Sequence, residues 1–181
     1  SLARIMSLEA AGRDDEAARA WKEWEKNNPQ SPLMSEAALA RSWNALRRGA
    51  TAEAARSLEQ LVTRWRWMEK DPRVILARST AAYLDGRYAE ADGMLAKMPD
   101  GPAAAYLRAL VLEARGNTLK AAAKYQEVAD RYPHSPLRDP AMLAKANVFL
   151  SSGAYRSAAE EMGRVMERAS RPDIKSEAEL R

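Results

Sequence analysis

An all-α fold, built as a string of antiparallel helix pairs, is what the sequence predicts, and three regularities carry the prediction. A Gly is followed five residues later by an Ala at Gly12/Ala17, Gly49/Ala54, Gly86/Ala91, Gly116/Ala121 and Gly153/Ala158, with intervals of 37, 37, 30 and 37 residues. Four residues beyond each Ala stands a large apolar residue (Trp21, Leu58, Leu95, Tyr125, Met162), and three further on Trp24, Leu61, Met98, Val128 and Val165. That i, i+4, i+7 spacing marks one face of an α-helix, with the small residue where a neighbouring helix must come close. No segment alternates apolar and polar as a half-buried strand would.

Each Gly therefore sits in a turn between two helices. In order, the pairs are expected over 2–11 with 14–27, 32–48 with 51–68, 72–85 with 88–98, 102–115 with 118–131, and 139–152 with 155–169, and a further helix starts near Pro172. Proline marks four of the first-helix starts, in Ser31-Pro32, Asp71-Pro72, Gly101-Pro102 and Asp139-Pro140, because an amide in the first turn has no partner inside the helix. Asp71 and Asp139 are expected to cap the free amides of the helices they precede. Seven residues before the turn Gly comes Ser42, Ser79, Ala109 or Ala146, the other half of a close helix contact, with Ile5 the exception. Trp21 and Trp24 face inward and are expected in the core.

Composition narrows the chemistry. The 181 residues are 46% hydrophobic and 30% charged, enough for one domain or a short array of repeats. Cysteine is absent and His134 is the only histidine, which removes disulfides, thiolate chemistry, Cys/His zinc sites and multi-histidine triads. Lys and Arg number 29 against 25 Asp and Glu, but they are scattered among the acids, so no nucleic-acid partner is expected. No apolar run approaches the length a bilayer requires. The acidic clusters Asp14-Asp15-Glu16 and Glu160-Glu161 have no histidine or second acidic group beside them, and read as helix-start and surface charges rather than metal ligands or an acid/base pair. No catalytic residue, cofactor or metal is expected, and the chain reads as a non-enzyme.

The pattern resembles the tetratricopeptide repeat family. Gly86-Arg-Tyr88-Ala-Glu90-Ala91 matches the family's inter-helix turn, Gly153-Ala-Tyr155 opens the same way, and Ala17-x3-Trp21 and Ala121-x3-Tyr125 match its second-helix signature, closed by Pro29 and Pro133. Asn28-Pro-Gln-Ser-Pro32 and Arg131-Tyr-Pro-His-Ser-Pro136 are similar to the extended inter-repeat loops of bacterial members, often of the cell envelope. The family's first-helix aromatic is replaced by Ala38, Ile75, Ala105 and Met142, and its leucine by Arg41, Arg78, Arg108 and Lys145. The third unit is shortened at Met98-Pro-Asp-Gly-Pro102, where a local change of twist is expected. The resemblance implies a right-handed α-solenoid of about five pairs (1–30, 31–70, 71–100, 101–138, 139–171) plus the start of another helix over 172–181, part of a longer array or protein, in the periplasm or cell envelope. Self-association through uncapped terminal repeats is a further expectation.

It also implies a protein or peptide partner held in a concave groove lined by the first helices. Transferred helix by helix, the lining is Leu39, Trp43, Leu76, Tyr83, Tyr106, Leu110, Leu143 and Asn147, with Met6 and Leu150 beside them. The competing role is the superhelical, non-catalytic portion of a larger cell-envelope enzyme or polysaccharide-export protein. The chaperone-binding signature of the family, a groove lysine with an asparagine, is not assembled, since Asn147 has no groove lysine. A basic residue eight positions before each turn Gly (Arg4, Arg41, Arg78, Arg108, Lys145) points away from the groove, its stem covering apolar surface while its head reaches an acid. Arg64-Trp65-Arg66-Trp67 interleaves cations with rings where a second helix ends, and reads as filling for that junction.

Overall fold

The computed structural model describes residues 1–180, which form eleven α-helices: α1 (Leu2–Ala10), α2 (Asp14–Asn27), α3 (Met34–Arg47), α4 (Thr51–Arg64), α5 (Pro72–Leu84), α6 (Tyr88–Leu95), α7 (Pro102–Ala114), α8 (Thr118–Arg131), α9 (Arg138–Ser151), α10 (Tyr155–Arg168) and α11 (Pro172–Glu179). A 3₁₀ turn over Arg66–Lys70 follows α4. No strand occurs among the described residues. The helices gather into two compact units: Ser1–Ala96, with α1 to α6, and the part from Lys97 onward, with α7 to α11.

All five turns close in the same way. The turn Gly has φ between 68° and 79°, a left-handed conformation that any side chain strains. Its N–H bonds the carbonyl three residues back, and the next N–H reaches one residue further: Gly86 N–H to Tyr83 O at 3.0 Å and Arg87 N–H to Ala82 O at 2.8 Å. This pair of hydrogen bonds satisfies the last carbonyls of the first helix and turns the chain straight into the second. A Cβ at Gly86 would meet nothing within 4 Å, so the cost of adding one is conformational alone. Gly86→Ala is expected to lower stability by about 1–2 kcal/mol. Gly93→Ala, within α6 and equally open, is expected to raise it by about 0.5–1 kcal/mol. Urea unfolding of the two variants measures both signs within one helix pair.

The alanines at Gly+5 and the apolar residues four beyond them are buried in all five pairs, as are the small residues seven before the Gly. The two serines among these last spend their hydroxyls on their own helix, Ser42 Oγ donating to Ala38 O and Ser79 Oγ to Ile75 O, both at 2.8 Å. In the first unit Ile5, Leu8, Ala17, Trp21 and Ala37 form one apolar cluster, and Leu46, Leu58, Leu61, Met68, Val74 and their neighbours a second. In the second unit Ala109, Tyr125, Val128, Ala141 and Val148 form one, and Ala146, Met162, Val165, Ile174 and Ala178 the other. Each large side chain removed from water in this way contributes about 1.5–3 kcal/mol.

Three boundaries differ from expectation by two residues or more. Helix α3 starts at Met34 rather than Pro32, because Ser31-Pro32-Leu33 forms a turn in which Ser31 Oγ accepts the Leu33 N–H. Ser135-Pro136-Leu137 repeats that turn before α9, with Ser135 Oγ accepting from Leu137 N–H at 3.1 Å. Helix α4 stops at Arg64, and the chain bends at Trp65 so that Met68, on the 3₁₀ turn, is fully buried against the same cluster as Leu58 and Val74. Helix α6 ends at Leu95, which leaves Met98 half-buried beyond it. Trp24 is also only half-buried, edge-on to the buried Trp21 with ring centroids 6.1 Å apart.

The two expected aspartate caps part company. Asp71 caps α5, accepting the Arg73 N–H at 2.8 Å. Asp139 does not cap α9, which begins one residue before it. It is buried, and its Oδ2 accepts from Ser170 N–H (2.7 Å), Ser170 Oγ (2.7 Å) and Arg171 N–H (2.9 Å), so it fixes the entry to α11 from the side of α9.

Candidate functional site

The first helices α3, α5, α7 and α9 carry the eight residues expected to line a groove, and the structure sorts them. Leu39 is 4% exposed and belongs to the cluster under Leu46 and Leu58, and Leu143 is 5% exposed among Ala146, Met162 and Ile174. Both are core residues, and neither offers a surface to a partner. Trp43 packs on the same cluster as Leu39 but keeps part of its ring exposed. Leu76 and Tyr83 are half-buried on α5, and the Tyr83 ring lies 5.9 Å from that of Tyr88. On α7, Tyr106 and Leu110 are half-buried against the second unit's first cluster, with Tyr106 edge-on to Tyr125 at 5.5 Å. Asn147 is half-buried on α9, its Oδ1 buried without a hydrogen-bond donor from the protein. Leu150 is half-buried and Met6 is 65% exposed.

Ion pairs absent from the expected site tie the first helices of the first unit together. Arg73 of α5 pairs bidentately with Glu36 of α3, at 2.7 and 3.0 Å, and also holds Asp71 at 2.7 Å. Hydrogen bonding to Arg73 holds the Asp71 carboxyl below its ordinary range, and Asp71 and Glu36 in turn raise Arg73. Arg47 at the end of α3 reaches Glu9 (3.1 Å) and Asp14 (3.2 Å), and Glu9 accepts the indole N–H of the buried Trp21 at 3.2 Å. Glu36 and Arg73 stand 37 residues apart, the repeat interval, so opposite charge at one register was the signal that would have revealed them.

The basic residues eight before the turn Gly are directed at carboxylates and amides in three of five helices. Arg41 bonds Glu25 of α2 (2.5 Å) and Ser57 of α4 (3.2 Å). Lys145 bonds Gln126 of α8 and Glu161 of α10, both at 2.7 Å. Arg108 reaches Asp100 at 3.2 Å. Burial pushes the Glu25 carboxyl up although Arg41 pulls the other way. These cations are committed within the chain, whereas a polyanion ladder needs free ones. In the Arg64–Trp67 run, Trp65 packs on the core with the Arg64 guanidinium 4.7 Å from its ring centroid, and Trp67 is 65% exposed.

The acids at the start of α2 are likewise occupied. Asp14 accepts from Asn44 and Arg47, Asp15 from Arg48, and Glu16 from Arg13. His134 is exposed in the loop before α9. Among the described residues no group of three His, Cys, Asp or Glu is placed to hold a metal ion, and no helix is long and apolar enough to cross a membrane.

Comparison with known proteins fits this architecture. A tetratricopeptide repeat family model matches residues 93–136. The fold is similar to a thermophilic TPR protein of Thermus thermophilus (21% identity, 99% of this chain and 95% of that one, TM-score 0.76). It is also similar to a tetratricopeptide repeat protein from Parabacteroides merdae (18% identity, 98% and 68%, TM-score 0.67) and to MamA from Desulfovibrio magneticus (17% identity, 90% and 89%, TM-score 0.67). A search of curated proteins finds no match. A tetratricopeptide repeat is recognised in sequence over residues 93–136, and over the rest of the chain the likeness to tetratricopeptide repeat proteins is one of fold.

Proposed function

We propose that this chain is a non-catalytic scaffold that binds peptide segments of a partner protein on the first-helix face of each of its two units. Proteins of this fold generally mediate protein–protein contacts. The observation that supports the reading here is the set of half-exposed apolar and aromatic side chains held in place by the core: Trp43, Leu76 and Tyr83 in the first unit, Tyr106 and Leu110 in the second. Large rigid side chains with one face packed and one face wet lose little conformational entropy on binding, and such residues dominate interface energies. The Glu36–Arg73 and Glu9–Arg47 pairs give the first unit's first helices a charged surround. That suits an amphipathic ligand, apolar at its anchors and polar between them.

The test is a quantitative pull-down from source-cell extract, comparing the wild type with a Trp43→Ala, Tyr83→Ala, Tyr106→Ala variant whose circular dichroism shows it folded. Loss of about 1 kcal/mol or more per anchor predicts at least a tenfold fall in capture of a specific protein. Equal capture by both proteins would sink the first-helix face as the binding surface.

A further inference from the structure

The Arg64–Trp67 run plays no part in the first-helix face, and its setting in the first unit carries an inference of its own. Helix α4 runs antiparallel to α3, so the 3₁₀ turn after α4 lies at the end of the unit where α3 begins. The Glu36–Arg73 pair joins the first turns of α3 and α5 at that same end. Two short segments therefore form this edge: residues 28–33, between α2 and α3, and residues 65–71, between α4 and α5. The turns at Gly12, Gly49 and Gly86 form the opposite edge. Each of the two segments holds one large apolar side chain in water, Leu33 at 46% exposure and Trp67 at 65%. The Trp67 ring is held outward, because Trp65 packs on the core two residues before it and Met68, next to it, is fully buried.

Charge divides between the two edges. At the turn-Gly edge Arg13, Arg47, Arg48 and Arg87 all hold carboxylates. At the other edge Lys26, Arg64, Arg66 and Lys70 are exposed, and none of them makes an ion pair among the described residues. Arg64 lies instead against the Trp65 ring, 4.7 Å from its centroid. Of the acids nearby, Asp71 is taken by Arg73, and Glu69 alone stands unpaired. Unmatched cations thus surround two apolar side chains that the core holds out into water. A surface that is anionic outside and apolar just beneath answers both features at once. The indole ring is amphipathic and settles at the level of lipid headgroups, and each Lys or Arg near an anionic leaflet adds attraction. A nucleic acid would use the cations and stack on Trp67, but it offers nothing to the aliphatic Leu33.

We infer that this edge of the first unit docks on the surface of an anionic lipid bilayer. Trp67 and Leu33 enter the headgroup layer, and Lys26, Arg64, Arg66 and Lys70 meet the lipid phosphates. Docked in this way, the unit stands with its helix ends on the membrane. The sides of α3 and α5, which carry Trp43 and Tyr83, stay open to a peptide, so lipid and peptide do not compete.

The test is co-sedimentation of the chain with vesicles of phosphatidylcholine alone or mixed in equal parts with phosphatidylglycerol. Binding is expected to the anionic vesicles and not to the neutral ones, and it should weaken as salt is raised. Trp67→Ala is expected to bind about tenfold more weakly, for the loss of the apolar contact. Arg66→Gln combined with Lys70→Gln is expected to bind about thirtyfold more weakly, at about fivefold for each charge. These three residues are exposed, so circular dichroism should show both variants folded. Two controls should bind vesicles as the wild type does: Arg13→Gln with Arg87→Gln, which removes the same charge from the opposite edge, and Trp43→Ala with Tyr83→Ala on the first-helix face. No binding to anionic vesicles, binding that Trp67→Ala leaves unchanged, or an equal loss in the opposite-edge variant would overturn the inference. If the chain instead captures a fluorescent single-stranded oligonucleotide and not the vesicles, the edge serves nucleic acid and the lipid reading falls.

Discussion

Tyr125→Ala is expected to destabilise the second unit by about 3–5 kcal/mol, the range for deleting a large buried aromatic. Tyr125 is fully buried at the centre of the cluster joining α7, α8 and α9, where it packs with Ala109, Val128, Ala141 and Val148. Its hydroxyl donates to Glu113 Oε2 at 2.6 Å, and its ring is the edge partner of Tyr106 on the proposed binding face. The alanine variant therefore opens a cavity, takes the phenol from Glu113 and removes the support of Tyr106 together. Tyr125→Phe separates these effects: it keeps the packing and the ring contact and gives up only the hydrogen bond to a carboxylate, worth about 1.5–3 kcal/mol. Urea denaturation of the two variants, followed by circular dichroism, measures the difference. If Tyr125→Ala and Tyr125→Phe lose equal stability, the hydroxyl and not the packing holds this cluster.

Gly86, Ala91 and Leu95 show why so much of the architecture was legible in sequence. Each position in the repeat answers to one local requirement: a left-handed turn, a close helix contact, a filled core. The recurrence of the turn Gly at intervals of 37, 37, 30 and 37 residues then assigns those requirements to every pair. The face to which a side chain points was legible too, and Arg41, Arg108 and Lys145 do reach carboxylates away from the first-helix face. How far a side chain is covered was not. Leu39 and Leu76 hold the same register, yet Leu39 is core and Leu76 half-exposed, because register fixes the direction in which a residue leaves its helix and the neighbouring side chains decide its cover. Trp43 packs on the cluster that buries Leu39 and is still only half-buried.

Asp139 shows the second limit, and its replacement is the other large effect expected. An Asp before a Pro at a helix start reads as a cap, and Asp71 fulfils that reading. Asp139, in the same local sequence, is claimed by a longer-range need: the turn between α10 and α11 presents donors at Ser170 and Arg171, and this buried carboxylate accepts from both while Arg138 pairs with it at 2.9 Å. Asp139→Ala removes the charged acceptor that gathers those donors, and losing hydrogen bonds to a charged group costs about 1.5–3 kcal/mol. The loss should fall first on α11, which meets the rest of the unit through Ile174 and Ala178, and appear as hydrogen-exchange deprotection of residues 170–180. Acid provides the same test without mutation. Burial alone would raise the Asp139 carboxyl, but the Ser170 hydroxyl, the two backbone N–H groups and Arg138 outweigh it and hold it below the ordinary range. A group depressed in the folded state contributes its full stability above its unfolded pKa, about 3.9, and loses it as pH falls through the lower folded value. Protection of residues 170–180 should therefore persist at neutral pH and fall on acidification below about pH 4 in the wild type, and show no such step in Asp139→Asn. An equal acid step in both proteins would assign it to other carboxylates and leave Asp139 without this role.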